Sequence, residues 1–398
     1  MNAEDWREQA LAQRLEQLRA RGLERHRRRV DGYERDGSGV AARIDGRQLL
    51  SFSSNDYLGL ARHPGVTAAF GAAARRVGVG SGASHLVTGH HREHHDLEEA
   101  LAAYTGRERA VLFSTGYMAN LAVGTTLASR GDLVLEDRLN HASLLDAGRL
   151  SGGRFERFAH GDAAAAERLL AERDEGNALL LTDGVFSMDG DIAPLLALAG
   201  VCRRRRAWLA VDDAHGLGVL GPTGRGSLEQ AGASSEDVPV LIGTLGKAFG
   251  TFGAFVAGSA ALVELLVQRA RTYIFTTALP PAVAAAARTA LALAATEPWR
   301  RERLREHIAR FRAGCTDLGL PLGESTTPIQ PLVLGSNEAA LEASARLLER
   351  GILAAAIRPP SVPEGTARLR ITFSAAHAAT DVERLLEALA ALPHRTPA

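Results

Sequence analysis

The sequence predicts an α/β protein: a large domain on a mostly parallel sheet, followed by a smaller α+β C-terminal domain. Three observations carry this expectation. From about residue 95 to 260, short apolar runs alternate with helical stretches. Those runs are apolar throughout, as strands covered on both faces require. After about residue 290 the order changes to helix, strand, helix, strand, strand, helix, which suits a compact α+β unit. The 398 residues divide accordingly into a helical segment and arm over 1–50, a large α/β domain over 51–290 and a small domain over 291–398.

Residues 4–30 read as helix because Leu11, Leu15 and Leu18 recur on one face among Arg, Glu and Gln. The segment ends in Arg25, His26, Arg27, Arg28 and Arg29. Such a cluster is either a solvated helix end, where cations suit the dipole, or a clamp for a carboxylate or phosphate. Strands are expected at 110–113, 133–136, 178–182, 208–212, 240–243 and 254–257, with helices such as 162–173 and 194–206 between them. In sheets of this kind ligands lie beyond the carboxyl ends of the strands. The C-terminal unit is expected as helix 298–318, strand 328–334, helix 337–350, strand 352–357, strand 368–373 and helix 380–392.

Composition narrows the function. Lys+Arg and Asp+Glu both number 46, so no net field draws the chain to nucleic acid or an anionic membrane. Cys202 and Cys315, the two cysteines, form no CxxC and no disulfide framework, which fits a reduced cytoplasmic setting. Residues 1–7 hold no apolar signal core, and the Ala-rich stretch 280–295 is too short and too weakly apolar to span a bilayer.

The chemistry centres on Lys247, in Gly-Lys-Ala-Phe-Gly just past the apolar run 238–242. An ammonium is costly to bury, so a lysine between glycines at a strand exit calls for a reason. By itself the motif equally fits a surface turn. The upstream Val-Asp-Asp-Ala-His-Gly, with Asp212 and His215, favours a Schiff base between Lys247 and pyridoxal 5′-phosphate (PLP). Asp212 would then face the pyridinium nitrogen and keep it protonated, which makes the ring an electron sink. Asp213 has the same side chain, and composition does not choose between them.

Other motifs supply candidates for the rest of such a site. Residues 114–120 follow a strand and open a helix, so Gly116 would let the backbone approach a phosphate and Tyr117 would lie near the ring. Thr244 offers a hydroxyl to the same phosphate. His141 is a candidate for stacking on the pyridine ring and meeting substrate, although a lone histidine is more often structural. Ser187, in the turn-rich stretch 182–191, is placed to donate to the phenolic oxygen of PLP. Arg368 and Arg370 share one face of a strand, where an arginine either grips a substrate carboxylate or is a surface charge. Histidines at 90, 91, 94 and 95 pair at i, i+4, but without an HExxH frame a polar helix start is the better reading, and no metal is expected.

These motifs occur in order. They are residues 53–60 (Ser-Ser-Asn-Asp-Tyr-Leu-Gly-Leu), 80–84 (Gly-Ser-Gly-Ala-Ser), Asn-His-Ala-Ser, Gly-Val-Phe-Ser-Met-Asp-Gly-Asp, Val-Asp-Asp-Ala-His-Gly, Gly224-Arg225-Gly226, Gly-Lys-Ala-Phe-Gly and Ala-Ile-Arg-Pro-Pro. Together they resemble the α-oxoamine synthases, PLP-dependent acyltransferases with the aspartate-aminotransferase-type transferase fold, over about residues 10 to 392. The resemblance implies a cofactor-binding set of Gly116, Tyr117, Ser187, Asp212, His215, Thr244 and Lys247. It implies catalytic roles for Lys247, His141, Asp212 and His215. Asn55 and Arg370 would hold an amino-acid carboxylate, with His141 and Ser361 also at the substrate site. Arg25, or Arg27 close by, would meet the acyl substrate. Family members are homodimers with sites at the subunit interface, so Thr276 or Thr277 would reach a phosphate in the partner chain. Residues 356–363 and 366–370 narrow the resemblance to the branch that condenses L-alanine with a pimeloyl thioester, carried by CoA or a carrier protein, with loss of CO2. Asp183 stands where the family commonly has Glu, and Ser361 where Thr is commoner. The alternatives are a sibling that uses glycine with acetyl-CoA or succinyl-CoA, or serine with a long acyl-CoA, and a non-catalytic protein on this fold.

Overall fold

In the computed structural model, which describes residues 5–25, 27–33, 40–173 and 176–392, the chain opens with helix α1 (Asp5–Ala20). This helix is shorter than the sequence suggests, because the chain turns at Gly22 in a left-handed conformation (φ 61°) that glycine adopts without strain. Arg25 and the later arginines therefore lie beyond the helix, and His26 lies outside the described residues. Leu11, Leu15 and Leu18 stay exposed, so the stripe read from the sequence is not part of the core.

Strands β1 (Val30–Tyr33), β2 (Ala41–Ile44) and β3 (Arg47–Ser51) form an antiparallel ribbon. Helix α2 (Pro64–Val77), a π-turn over His85–Gly89 and α3 (Arg92–Thr105) lead into the main sheet. There β4 (Arg109–Phe113), α4 (Gly116–Leu127), β5 (Leu133–Asp137), α5 (Ala142–Leu150), β6 (Arg154–Phe158), α6 (Ala163–Ala171) and β7 (Ala178–Asp183) follow in turn. Next come α7 (Leu195–Arg205), β8 (Trp208–Asp212), α8 (Ser227–Ala231), β9 (Val240–Thr244) and β10 (Ala254–Gly258). The seven strands lie in the order β4-β10-β9-β8-β7-β5-β6. All pairings are parallel except those of β10, which runs against both β4 and β9. Strands β5, β7 and β10 are buried along their whole length, β10 as its unbroken apolar run requires and β5 and β7 including the polar residues at their carboxyl ends. Edge strand β6, Arg-Phe-Glu-Arg-Phe, is mostly polar, and no apolar run marks it in the sequence.

Helices α9 (Ala260–Arg269), α10 (Arg271–Ile274) and α11 (Pro281–Thr296) come next. In α11 the Ala-rich face packs inward, and Arg288 pairs with Asp96 at 2.5 Å. Among the described residues no helix is long and apolar enough to cross a membrane. The chain ends with α12 (Trp299–Asp317), β11 (Ile329–Gly335), α13 (Asn337–Glu349), β12 (Ile352–Leu353), β13 (Ala355–Ile357), β14 (Ala367–Thr372) and α14 (Ala379–Ala390). The single strand expected over 352–357 is two: β12 joins β3 in parallel, and β13 joins β14 in the small sheet β11-β14-β13. One core contains Phe52, Leu97, Phe249, Leu291, Phe311 and Phe373 together. The boundaries drawn at 50 and 290 therefore do not coincide with breaks in the packing.

Candidate active site

The carboxyl ends of β7, β8 and β9 deliver the polar residues. Asp183 and Asp212 are register partners on β7 and β8, so they project to the same face. Lys247 follows β9 by three residues, in a turn closed by Leu245 N–H to Gly253 O (2.8 Å) and Gly250 N–H to Lys247 O (2.8 Å). Gly250 has φ 63°, and a Cβ there would stand 2.2 Å from the Ala61 nitrogen, so only glycine fits the turn.

Two hydrogen-bonded chains meet around this lysine. In the first, Lys247 Nζ lies 2.9 Å from His215 Nε2, and His215 Nδ1 lies 2.7 Å from the Tyr57 hydroxyl. Tyr57 reaches Asn55 Oδ1 at 3.2 Å, and Arg370 donates to the same oxygen through Nη1 and Nη2, each at 3.3 Å. Arg370 Nε also donates to Ser187 O at 2.6 Å. In the second, Asp212 Oδ2 accepts from Asn120 Nδ2 (2.7 Å) and Oδ1 from Ala214 N–H (3.0 Å). Asn120 Nδ2 also donates to Ser143 Oγ (2.8 Å), which lies 2.7 Å from His141 Nδ1. His141 N–H donates to Asp183 Oδ2 at 2.6 Å.

Burial controls the charges. It lowers the Lys247 pKa, with Asp212 and then Asp183 pulling the other way. His215 is held well below the usual imidazole range by burial, then by the positive charge of Lys247. His141, at the open side of the cleft, is lowered by desolvation against the pull of Asp212. Asp183 is raised well above the carboxylate range by burial and by the neighbouring Asp212. Burial thus disfavours charge on both the amine and the imidazole beside it.

The two adjacent aspartates have different surroundings. Asp213 accepts from Ser227 N–H at 2.8 Å and is pushed up to about 7 by burial. Its oxygens crowd Gly216 and Gly226, where a Cβ would stand 2.1 Å and 1.9 Å away. Asp213 thus locks a loop, while Asp212 faces the lysine cleft.

Other expected residues lie around this cluster. Thr115 Oγ1 caps α4 by accepting from Met118 N–H (3.2 Å), and a Cβ on Gly116 would meet nothing within 4 Å. The helix start is therefore open to an anion. Tyr117 donates to Asp146 Oδ2 at 2.5 Å. Thr244 Oγ1 donates to Gly253 O (3.1 Å) and accepts from Gly246 N–H (3.3 Å), so its hydroxyl already serves the lysine turn. Arg368 and Arg370 are both buried on the central strand of the small sheet, not surface charges; Arg368 contacts Met188 O and pairs with Asp189. Arg25 and Ser361 are exposed, and among the described residues no hydrogen bond joins either to the Lys247 cluster. Arg358 donates to Gly22 O, which brings the N-terminal segment beside the 358–361 turn. Thr276 and Thr277 lie on the surface after α10, beside the exposed Phe275.

His85, His90 and His94 bring ring nitrogens within 4.8 Å of one another. However, His94 Nδ1 accepts from His91 N–H (2.9 Å) and its Nε2 serves Leu279 O (2.7 Å), so neither is free for a metal. Helix α3 begins at Arg92, directly behind His91.

Sequence reasoning passed over Tyr57, Asn120 and Ser143. Asn120 had a readable signal, because it lies four residues past Gly116 and so shares its helix face. The residues present fit PLP: an amine whose pKa burial lowers, a buried carboxylate on the adjacent strand and an open helix start.

Comparison with known proteins agrees with this geometry. The profile of the family "Aminotransferase class I and II" matches residues 47–389. The 8-amino-7-oxononanoate synthase of Methylococcus capsulatus is 62% identical over 379 residues, covering 95% of this chain and 97% of that protein. That of Thioalkalivibrio sulfidiphilus is 61% identical, covering 94% and 95%. Among solved structures, a PLP-bound serine palmitoyltransferase from S. paucimobilis superposes with TM-score 0.91 at 31% identity, covering 98% of each chain. The 8-amino-7-oxononanoate synthase of Francisella tularensis gives 0.75 at 31%, covering 86% of this chain and 97% of that one. With its lysine turn, paired strand-end carboxylates and near-full-length relatives, the chain belongs to the class I and II aminotransferase family, in its 8-amino-7-oxononanoate synthase branch.

Proposed function

We propose that this protein condenses L-alanine with a pimeloyl thioester, pimeloyl-CoA or pimeloyl carrier protein, giving 8-amino-7-oxononanoate, the free thiol and CO2 in biotin biosynthesis. The observation that carries this reading is a half-buried amine at Lys247 facing the buried Asp212, in a chain 62% identical to an enzyme named for that product. PLP, when bound, supplies an electron sink for the charge left at the amino acid's α-carbon when its proton departs.

Lys247 would tether the cofactor and, once released, would take that proton; burial lowers its pKa, which favours the uncharged amine that both tasks need. Asp212, held by Asn120 and Ala214 N–H, is the anion assigned to the ring nitrogen. His141 is assigned to the ring face, Ser187 and His215 to the phenolic oxygen, and Gly116, Tyr117 and Thr244 to the phosphate end. Arg370, a donor at every nitrogen, binds the amino-acid carboxylate together with Asn55. Arg25 and Ser361 are assigned to the acyl substrate. The reading includes a cytoplasmic homodimer, in which Thr276 or Thr277 serves the partner's phosphate.

The structural likeness to serine palmitoyltransferase keeps one rival in view, a sibling with the same chemistry and different pockets. Thiol release settles the choice, with alanine, glycine and serine crossed against pimeloyl-, acetyl-, succinyl- and palmitoyl-CoA. Alanine with pimeloyl-CoA should dominate. Preference for glycine with acetyl-CoA would assign a 2-amino-3-ketobutyrate ligase. Borohydride treatment of the holoprotein, followed by peptide mass spectrometry, should place the pyridoxyl group on Lys247. An unmodified Lys247 in fully loaded, active protein would overturn the reading.

A further inference from the structure

We propose that Tyr57 sets the tautomer of His215, and that this tautomer keeps the lone pair of the Lys247 amine free. The inference rests on the assignment of Lys247 as attachment point and base. It comes from the polarity of the chain Lys247–His215–Tyr57–Asn55–Arg370, whose contacts are 2.9, 2.7, 3.2 and 3.3 Å long.

Each link has donors and acceptors fixed by chemistry. Arg370 only donates, so the Asn55 atom that it meets is the carbonyl oxygen. That oxygen carries no hydrogen, so in its 3.2 Å contact the Tyr57 hydroxyl must be the donor. With its one hydrogen committed to Asn55, the Tyr57 oxygen accepts from His215 Nδ1–H. His215 is buried and neutral, so a proton on Nδ1 leaves Nε2 bare. Nε2 then accepts a hydrogen from Lys247, whether the lysine is an ammonium or an amine. The opposite sense would set Nε2–H against the ammonium and leave the Asn55 and Tyr57 oxygens facing each other without a hydrogen.

The consequence falls on the nucleophile. A neutral amine that donates one hydrogen to Nε2 keeps its lone pair open to an aldehyde carbon or an α-proton. With the other tautomer, Nε2–H would donate into that lone pair and mask it. Tyr57 thus acts through His215 as a positioning residue, and it ties the lysine to the same Asn55 and Arg370 that are assigned to the substrate carboxylate.

The test uses the full-length protein, cofactor-free and labelled at its histidine nitrogens, with His215→Gln to assign the signal. Proton–nitrogen correlation spectra should show His215 protonated at Nδ1 and bare at Nε2. Tyr57→Phe removes the acceptor and should give a mixture containing the Nε2–H form. Capture of added PLP by Lys247, followed at the imine absorbance, should slow by on the order of tenfold. Asn55→Ala provides a second route: it frees the Tyr57 hydroxyl to donate to Nδ1 and should shift the tautomer the same way, even if Tyr57→Phe does not fold. A wild-type protein protonated at Nε2, or variants with unchanged tautomer and capture rate, would overturn the inference while leaving Lys247 as the attachment point. The expected tautomer without PLP capture at Lys247 would instead remove the functional assignment and leave the role of Tyr57 standing.

Discussion

Lys247 works only as well as its neighbours hold its charge and their own. Because burial lowers its pKa from 10.5, the amine is deprotonated at a lower pH than a solvated lysine. Only the deprotonated amine attacks an aldehyde. PLP capture by the apoprotein should therefore rise with pH and level off below 10.5; a stopped-flow profile that plateaus only at or above that value would contradict the structure. Asn120 is the second pressure point, since its amide donates to Asp212 Oδ2. Asn120→Ala should lower kcat by about tenfold to a hundredfold, the factor that accompanies loss of a hydrogen bond to a charged group worth roughly 1.5–3 kcal/mol. Steady-state kinetics on the folded variant reads this directly. At this scale the sequence showed the residues with unmistakable chemistry: Lys247, Asp212, His215 and Arg370 stand in readable motifs. It did not show which aspartate of the pair faces the lysine, because that depends on strand pleating and on the loop that Asp213 locks. Nor did it show Tyr57, whose hydroxyl matters only once residues 158 apart are brought together.

Among the elements, the loop between β7 and α7 carries most of the consequences. It bears Ser187, Asp189 and Asp191, and three cations hold it. Arg370 and Arg368 reach it from β14, and His160 reaches it from the end of β6. His160 contacts Asp137 at 3.0 Å and Asp191 at 2.9 Å, and these two carboxylates raise its pKa from 6.5 to about 10. A raised pKa stabilises the fold where the folded state holds a proton that the unfolded state would release. The contribution is fully present below about 6.5 and is lost progressively as pH climbs to about 10. Urea unfolding of wild type and His160→Gln should therefore differ most below pH 6.5 and converge toward pH 10; a constant difference would refute the double clamp. A second test lies at Gly226, with φ 95° and a Cβ position 1.9 Å from Asp213 Oδ2. Gly226→Ala should lose more than about 1 kcal/mol of stability by combining an unfavourable backbone with a clash. Elements with continuous apolar strands or long helical periods were legible in the sequence. β6 was not, because an edge strand need not be apolar, and the break at Ala354 was not, because a switch between two sheets leaves no mark on hydropathy.

Across the whole molecule, exposed apolar side chains recur on and after α2, in the π-turn, in the lysine turn and just after α10. Phe70, Val79, Leu86, Val87, Phe252 and Phe275 all lie exposed on this chain. A homodimer of the kind proposed would give such groups a partner. Light scattering should report twice the 42.2 kDa chain mass, and a protein at the single-chain mass at assay concentration would remove that part of the reading. The fold class was the most legible feature, because alternation of strand and helix over a long stretch leaves few topologies. The shared core was not legible, because packing across residues 52 to 373 has no local signature. That long-range closure has a temporal side. Asn55 meets Arg370 only across 315 residues, and β3 finds β12 only across the span between them. A ribosome must therefore extrude the chain at least as far as Arg370 before this pocket can close around vitamin B6, so the site cannot mature on the growing chain while only its β7–β9 portion has emerged.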